Sequence, residues 1–318
     1  MSKTENTACR FRTSIGGQAL IEGILMRGPK KQAIVVRKPD GELEIKEEDL
    51  TLVKDKYPIL GVPLIRGVAT FLGSMVKGMK ALTYSAEFMP EEEQEEPSKF
   101  DKWVEEKFGG EAAEKIIIGV AVVLGIALAI GLFVLLPTLI AGLIPGVAGH
   151  TTLRSLIEGI FKLIIFFAYM WLATRMKEIK RVFSYHGAEH KTIFCYEKGL
   201  PLTVENVRPQ SRFHPRCGTS FLLVVVILGV FLGFLIRVDN TILRMLLRLL
   251  LLPVVVGVAY ELNRWVGRHD DALISRIVSW PGKQLQHLTT FEPDDSMIEV
   301  AIKALECVIP EEKGTDAW

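Results

Sequence analysis

The chain is poor in the residues that carry most metal and redox chemistry. Of 318 residues, four are cysteine and six are histidine. Cys9, Cys195, Cys217 and Cys307 are too scattered for a disulfide framework, and no CxxC occurs. A disulfide-stapled secreted domain and a dithiol redox site are therefore not expected, and the thiols read as reduced and cytosolic. Ser2 to Arg12 is polar with no apolar run behind it, so no secretory signal is expected. An excess of charge of one sign is also lacking: 38 Lys+Arg stand against 37 Asp+Glu, a net +1. Without a pooled basic surface, nucleic acid is not an expected partner. The glycine-rich stretch Gly16 to Gly28 lacks the GK[ST] ending of a phosphate loop. Its glycines read as serving tight turns and close packing. Alternatively, Gln18, Glu22 and Arg27 face a functional site.

In one stretch charge is missing altogether. Ile116 to Leu136 is uninterrupted apolar sequence, and ~20 helical residues span a bilayer core. A second run, Leu156 to Met176, carries Glu158 and Lys162 at i,i+4 near one end, where snorkelling accounts for them. A third, Ser220 to Ile236, is about the minimum spanning length. The fourth, Ile242 to Val266, is the weakest, because Arg244, Arg248 and Glu261 interrupt it; a re-entrant or interfacial helix is the alternative there.

Basic residues orient these segments. Arg175, Lys177, Lys180, Arg181, Lys191, Lys198, Arg208, Arg212 and Arg216 lie between the second and third runs. The 145–155 connection has only Arg154 and the 237–241 connection only Arg237. Basic loops stay cytoplasmic. The expected fold is a predominantly α-helical polytopic membrane protein, with about four transmembrane helices, a small cytoplasmic α+β element and both termini cytoplasmic.

The expected organisation is a 1–89 element, a 90–115 acidic linker and pre-membrane helix, spans one and two in 116–176, a His-rich loop at 177–219, spans three and four in 220–266, and a tail at 267–318. Within the first piece, Ala33 to Val36 and Glu42 to Ile45 flank a Lys38-Pro39-Asp40-Gly41 turn and read as strands. Leu64 to Met89 reads as a basic amphipathic helix that lies at the membrane interface or packs on its own domain. The linker Pro90 to Ser98 is acidic and of low complexity, a composition expected to be disordered. In the tail, Ser296 and Glu299 have capping-box spacing ahead of an apolar stripe. His287 reads as a structural histidine.

The His-rich loop is where chemistry concentrates. His186 and His190 stand i,i+4, one face of a helix, with Glu189 between them. The pattern H-x-x-E-H is that of inverted zincins, in which the glutamate activates water. His214 and Cys217 offer further ligands from the same loop, and imidazole and thiolate are what zinc prefers. The expected metal set is His186, His190, His214 and Cys217, the metal most readily zinc, with Glu189 the general base. A closed site is structural, whereas three protein ligands plus a water make a catalytic one. The bland alternative is that these groups only hydrogen-bond within a folded loop.

Three motifs taken together resemble one family. They are Gly16-Gly17-Gln18-Ala19-Leu20-Ile21-Glu22-Gly23 with Met26-Arg27-Gly28-Pro29, then Tyr185-His186-Gly187-Ala188-Glu189-His190-Lys191, then His214-Pro215-Arg216-Cys217-Gly218-Thr219-Ser220-Phe221. They look like the YqhQ-like bacterial membrane proteins, and Gln286 to Asp295 is similar too. The resemblance covers nearly the whole chain. It implies a multi-pass protein of the bacterial cytoplasmic membrane and a metal-dependent enzyme, but it names no reaction. The first expectation is a metal-dependent hydrolase at the cytoplasmic face. The runner-up is a non-enzymatic factor that assists insertion, assembly or quality control of other membrane proteins. Expected partners are the lipid bilayer and, for the runner-up, other membrane proteins or the translocation machinery.

Overall fold

A computed structural model describes residues 11–50, 58–90, 98–147, 150–269, 272–312 and 314–316. Cys9 and most of the acidic linker lie outside the described residues. The chain is mostly helical, with one four-stranded antiparallel sheet in the order β1-β2-β3-β4. The strands are β1 Gly16–Leu20, β2 Gly23–Arg27, β3 Lys31–Arg37 and β4 Leu43–Asp49. The two strands expected from the turn signal are β3 and β4. The glycine-rich stretch, read as serving tight turns and close packing, supplies β1 and β2, paired Gly16↔Arg27 through Leu20↔Gly23.

The helices are α1 Ile65–Ala86, α2 Lys99–Phe108, α3 Gly110–Ile130, α4 Leu136–Leu143, α5 Thr151–Ala173, α6 Lys177–Glu197, α7 Val204–Val207, α8 Gly218–Gly233, α9 Thr241–Arg268, α10 Leu273–Thr289 and α11 Asp295–Glu306. A π-helical turn, Gly131–Leu135, joins α3 to α4. Among the described residues, three helical runs are long and apolar enough to cross a membrane: Ile116–Leu143, Thr151–Ala173 and Thr241–Arg268. Val123, Leu124 and Leu128 are 65%, 64% and 70% exposed. Apolar surface of that extent suits lipid rather than water. The doubtful fourth run is thus one of the long helices. The third run forms the short one: α8 stops at Gly233 after 16 residues, about 24 Å of helix against a core of ~30 Å.

The chain folds as two compact units. One comprises residues 1–89, 170–227 and 253–318; the other comprises 90–169 and 228–252. The first unit contains the sheet. Its core joins three distant stretches of sequence: Ile24, Met26, Ala33 and Val35 from the strands, Tyr185, Ala188 and Ile193 from α6, and Ile298, Ala301 and Leu305 from α11. These residues are apolar at strand spacing in one element and at helical spacing in the other two, so each buries one face against the others. The cap of α11 is Asp294, whose side chain accepts from Met297 N–H at 3.0 Å. Ser296, expected to cap, donates its hydroxyl to Asp294 at 2.6 Å instead.

The second unit holds α2, α3, α4 and most of α5, plus parts of α8 and α9. Glu158 is fully buried there rather than snorkelling, and accepts from Arg244 and Arg248.

Candidate functional site

α6 carries the H-x-x-E-H residues. No cap side chain starts this helix, but Glu178 lies in its first turn, where the helix dipole favours an acid. From Tyr185 most positions are buried, and Glu189 and His190 are 5% and 2% exposed. Gly187 makes that depth attainable: a Cβ there would stand 2.1 Å from the Phe291 carbonyl oxygen.

One ligand atom each from His186, His190 and Cys217 lie within 4.8 Å of one another. His186 Nε2 is 3.2 Å from Cys217 Sγ. His186 Nδ1 is 2.8 Å from the Thr289 carbonyl and His190 Nδ1 is 2.6 Å from the Arg212 carbonyl. A carbonyl only accepts, so Nδ1 carries the hydrogen in both rings and Nε2 is left to ligate. A backbone carbonyl orienting the distal nitrogen is the usual support of a metal-bound histidine. Thr219 Oγ1, 3.1 Å away, also touches the Cys217 sulfur.

Burial alone would lower the His186 pKa, but the adjoining Cys217 thiolate, through charge and hydrogen bond, raises it to about 9. For Cys217, burial would raise the pKa, and the charges of His186 and His190 outweigh it and hold the thiol well below its ordinary value. With no ion bound, the pair is an imidazolium–thiolate.

Glu189 sits on the flank of this group. Its Oε1 accepts from Gly17 N–H at 2.8 Å, while its buried Oε2 has no hydrogen-bond partner among the described residues. Burial raises its pKa, and His186 and His190 oppose the rise.

His214 stands beside the group rather than in it. Its ring lies 5.5 Å from that of His190, but Nδ1 accepts from Arg216 N–H at 3.3 Å and Nε2 lies 3.8 Å from Glu197. Burial lowers its pKa to about 4, with the Glu197 hydrogen bond opposing. It is therefore neutral at physiological pH.

A cavity of about 600 Å³ opens onto these residues. Gln18, Arg27, Ser74, His186, Glu189, His190, Cys217 and Thr219 line it. Gln18 and Arg27 thus face the site, as one sequence reading held. Glu22 does not line it: its carboxylate takes Arg181 and the Tyr185 hydroxyl. His287 packs on Phe213, with ring centroids 4.4 Å apart, away from the cluster.

Sequence reasoning missed the supporting groups. Thr289 and the Arg212 carbonyl orient the imidazoles. Gln286 clamps the His214 backbone, accepting from its N–H at 2.8 Å and donating to its carbonyl at 2.8 Å. Glu197 pairs with Arg216 and accepts from Thr13 N–H at 2.9 Å. Backbone carbonyls leave no mark in a sequence. The signal available was Gln286 to Thr290, polar residues at the end of an amphipathic helix.

The fold and site define a class: a mostly helical protein with helices long and apolar enough to cross a membrane, and a largely buried His/Cys cluster beside a small antiparallel sheet. The chain belongs to the family described as protein of unknown function DUF1385, whose model matches residues 62–311. It is also similar to the "Uncharacterized protein YqhQ" of Bacillus subtilis (strain 168), 36% identical over 293 residues, 91% of this chain and 90% of the relative. No solved structure matches.

Proposed function

We propose that the protein is a multi-pass protein of the bacterial cytoplasmic membrane with a metal-dependent hydrolytic site on its cytoplasmic side. The observation that carries this is the approach of His186, His190 and Cys217 ligand atoms within 4.8 Å, beside a buried Glu189 oxygen without a partner.

The donor set fits zinc: two imidazoles with both Nδ1–H groups engaged, and one thiolate. His186 and His190 would hold the ion through Nε2 and Cys217 through Sγ. When bound, such an ion supplies Lewis acidity. Glu189 fits the part of general base. Gly17 fixes one of its oxygens, the other has no hydrogen-bond partner among the described residues, and burial raises its proton affinity, the direction a general base needs. Arg27, whose buried Nε has no hydrogen-bond partner among the described residues, gives the cavity a cationic handle for a carboxylate or phosphate on the substrate. His214, neutral and clamped by Gln286 and Arg216, supports the wall.

The shared core of the first unit supports placing all three soluble pieces on one face. Strand residues, α6 and α11 cannot pack together across a bilayer, so an even number of crossings must separate them. Four spans satisfy this, with the short α8 as the third. The basic residues from Arg175 to Arg216 support the cytoplasmic face.

A second reading, a non-enzymatic factor for membrane-protein insertion, assembly or quality control, draws on α1. Ile65, Leu72, Met75 and Val76 on that helix are 45–55% exposed, a stripe suited to lipid or to a membrane partner.

Elemental analysis of detergent-purified full-length protein tests the first reading. It expects about one zinc per chain, lost in His186→Ala and His190→Ala. Metal far below one equivalent, unchanged by either substitution, would end it.

A further inference from the structure

Five ionisable side chains are buried in the unit made of residues 90–169 and 228–252. Arg154, Glu158 and Lys162 step along α5 at i,i+4, and Arg244 and Arg248 do the same on α9. Each set therefore shares one helix face. All five are 9% exposed or less. Four cations share one carboxylate, a formal +3 (four positive less one negative). Both helices also begin here, at Thr151 and Thr241. Their N-terminal dipole ends add to the positive field instead of offsetting it.

Part of this charge has a structural task. Arg244 donates to Glu158 at 2.8 Å, to Ser155 Oγ at 2.6 Å, and to the carbonyls of Ile236 and Val238 at 2.9 and 3.1 Å. Arg154 donates to the Asp239 carbonyl at 2.8 Å and to Thr241 Oγ1 at 2.7 Å. These carbonyls belong to the non-helical stretch after the short α8. Carbonyls outside regular structure need partners, and the two arginines supply them.

A remainder is left over. Arg248 spends one N–H on Glu158, and its buried Nε has no hydrogen-bond partner. The Arg154 Nε makes no hydrogen bond among the described residues either, but it is ion-paired with Glu158 Oε1 at 3.4 Å. Lys162, 9% exposed, makes neither a hydrogen bond nor an ion pair among the described residues, and its charge acts on those of Glu158 and Arg248. Uncompensated cations inside a membrane protein are costly, and where they occur they mark a binding site or an ion path. The Lys162 side chain leans toward the start of its helix, as helical side chains do. That brings its ammonium up toward the level of Glu158 and Arg248.

We propose that an oxyanion of the phosphate type completes this cluster, held by Lys162 Nζ and by the Nε–H group of Arg248, with Arg154 adding to the positive field. Two sources share that chemistry: the phosphodiester of an anionic phospholipid, and free phosphate. The site is independent of the His/Cys cluster, and its test does not involve metal or hydrolysis.

Lys162 is the clean handle, because removing its charge breaks no hydrogen bond within the protein. Thermal melting of full-length wild type and Lys162→Gln is measured in maltoside micelles at fixed ionic strength. One arm compares added phosphatidylglycerol with phosphatidylcholine at equal mole fraction; the other compares inorganic phosphate with chloride. The expected result is a Tm raised by several degrees in wild type by one of the two phosphate sources, with the difference abolished in Lys162→Gln. Phosphatidylglycerol acting alone identifies a lipid site, and inorganic phosphate acting alone identifies a free-anion site. No Lys162-dependent shift in either arm would overturn the proposal. So would a Lys162→Gln protein that melts above wild type in every mixture, because the lysine would then be an uncompensated burden. Should the variant fail to fold, native mass spectrometry of wild type decides. Equal retention of the two lipids from an equimolar mixture, with no phosphate adduct, overturns the proposal.

Discussion

The backbone N–H of Gly17 in β1 donates to Glu189 in α6 across 2.8 Å. A Cβ at Gly17 would stand 2.7 Å from the Leu25 carbonyl oxygen and 3.1 Å from the Glu189 carboxyl carbon. The glycine is thus what lets the sheet approach the glutamate. Gly17→Ala should cost roughly 1–3 kcal/mol of stability through overpacking and should displace Glu189. Glu189→Gln keeps the shape and should keep metal, yet lose function on the order of 10²–10⁴ in rate, as expected for a general base. A complementation assay beside a thermal melt reads both. Full complementation by Glu189→Gln at normal protein level would leave only the non-enzymatic reading.

Metal loading should release protons. His186 keeps its proton up to about pH 9 in the ion-free site, whereas a ligating imidazole must be neutral. Zinc added at pH 7 should therefore displace about one proton per ion, since Cys217 is already a thiolate. Calorimetry in buffers of different ionisation enthalpy measures this. Zinc uptake without proton release would show that His186 is not a ligand.

The pH dependence of stability isolates His214. Its folded pKa is depressed from 6.5 to about 4. Above 6.5 the unfolded chain gains nothing by protonation. As pH falls from 6.5 to about 4, the unfolded state takes up a proton that the folded state refuses, and stability drops. The full loss is roughly 3 kcal/mol at 1.36 kcal/mol per pH unit. His214→Asn should start less stable but show a flatter melting profile across that window. Equal slopes for both proteins would remove His214 as the cause.

Topology has a direct readout. If four spans hold, a cysteine engineered at Asp239 should react with an impermeant maleimide on intact cells, and one at Lys198 should not. Labelling at Lys198 alone would invert the orientation. Labelling at neither would leave α8 and α9 as a re-entrant pair.

How much of this was legible in the sequence depended on how local each signal is. Ile116 to Leu136 announces itself because lipid tolerates no polar position over that length. His186 and His190 could be brought together because i,i+4 geometry is fixed by the helix alone. β1 and β2 were not singled out as strands, since glycine weakens strand propensity; the close packing expected of these glycines has its partner, α6, 172 residues away. The expectation for His214 rested on sharing a loop with Cys217. Spacing cannot say that Arg216 and Glu197 engage its ring instead. The third and fourth runs exchanged rank for a similar reason. Arg244 and Arg248 made α9 look too polar, but their partners lie on α5 and on the backbone after α8. Within α11, Ser296 matched a capping spacing, yet Asp294 two residues earlier is the stronger acceptor and holds the cap.

That buried partnership gives the sharpest stability prediction. Glu158 is fully buried and is the one carboxylate among Arg154, Lys162, Arg244 and Arg248. Glu158→Gln keeps the volume and one acceptor oxygen but removes the negative charge. Breaking a buried ion pair by removing one partner costs about 3–5 kcal/mol, because the other charge stays behind. Here several cations stay behind, so the loss should sit at the upper end, read as a large fall in Tm of the full-length protein in detergent. Arg248→Met in the same chain should return part of that stability, since it withdraws one of the stranded charges. A double-mutant cycle measures the coupling between the two positions. Additive effects of Glu158→Gln and Arg248→Met would mean that the two side chains do not share a charge-coupled site.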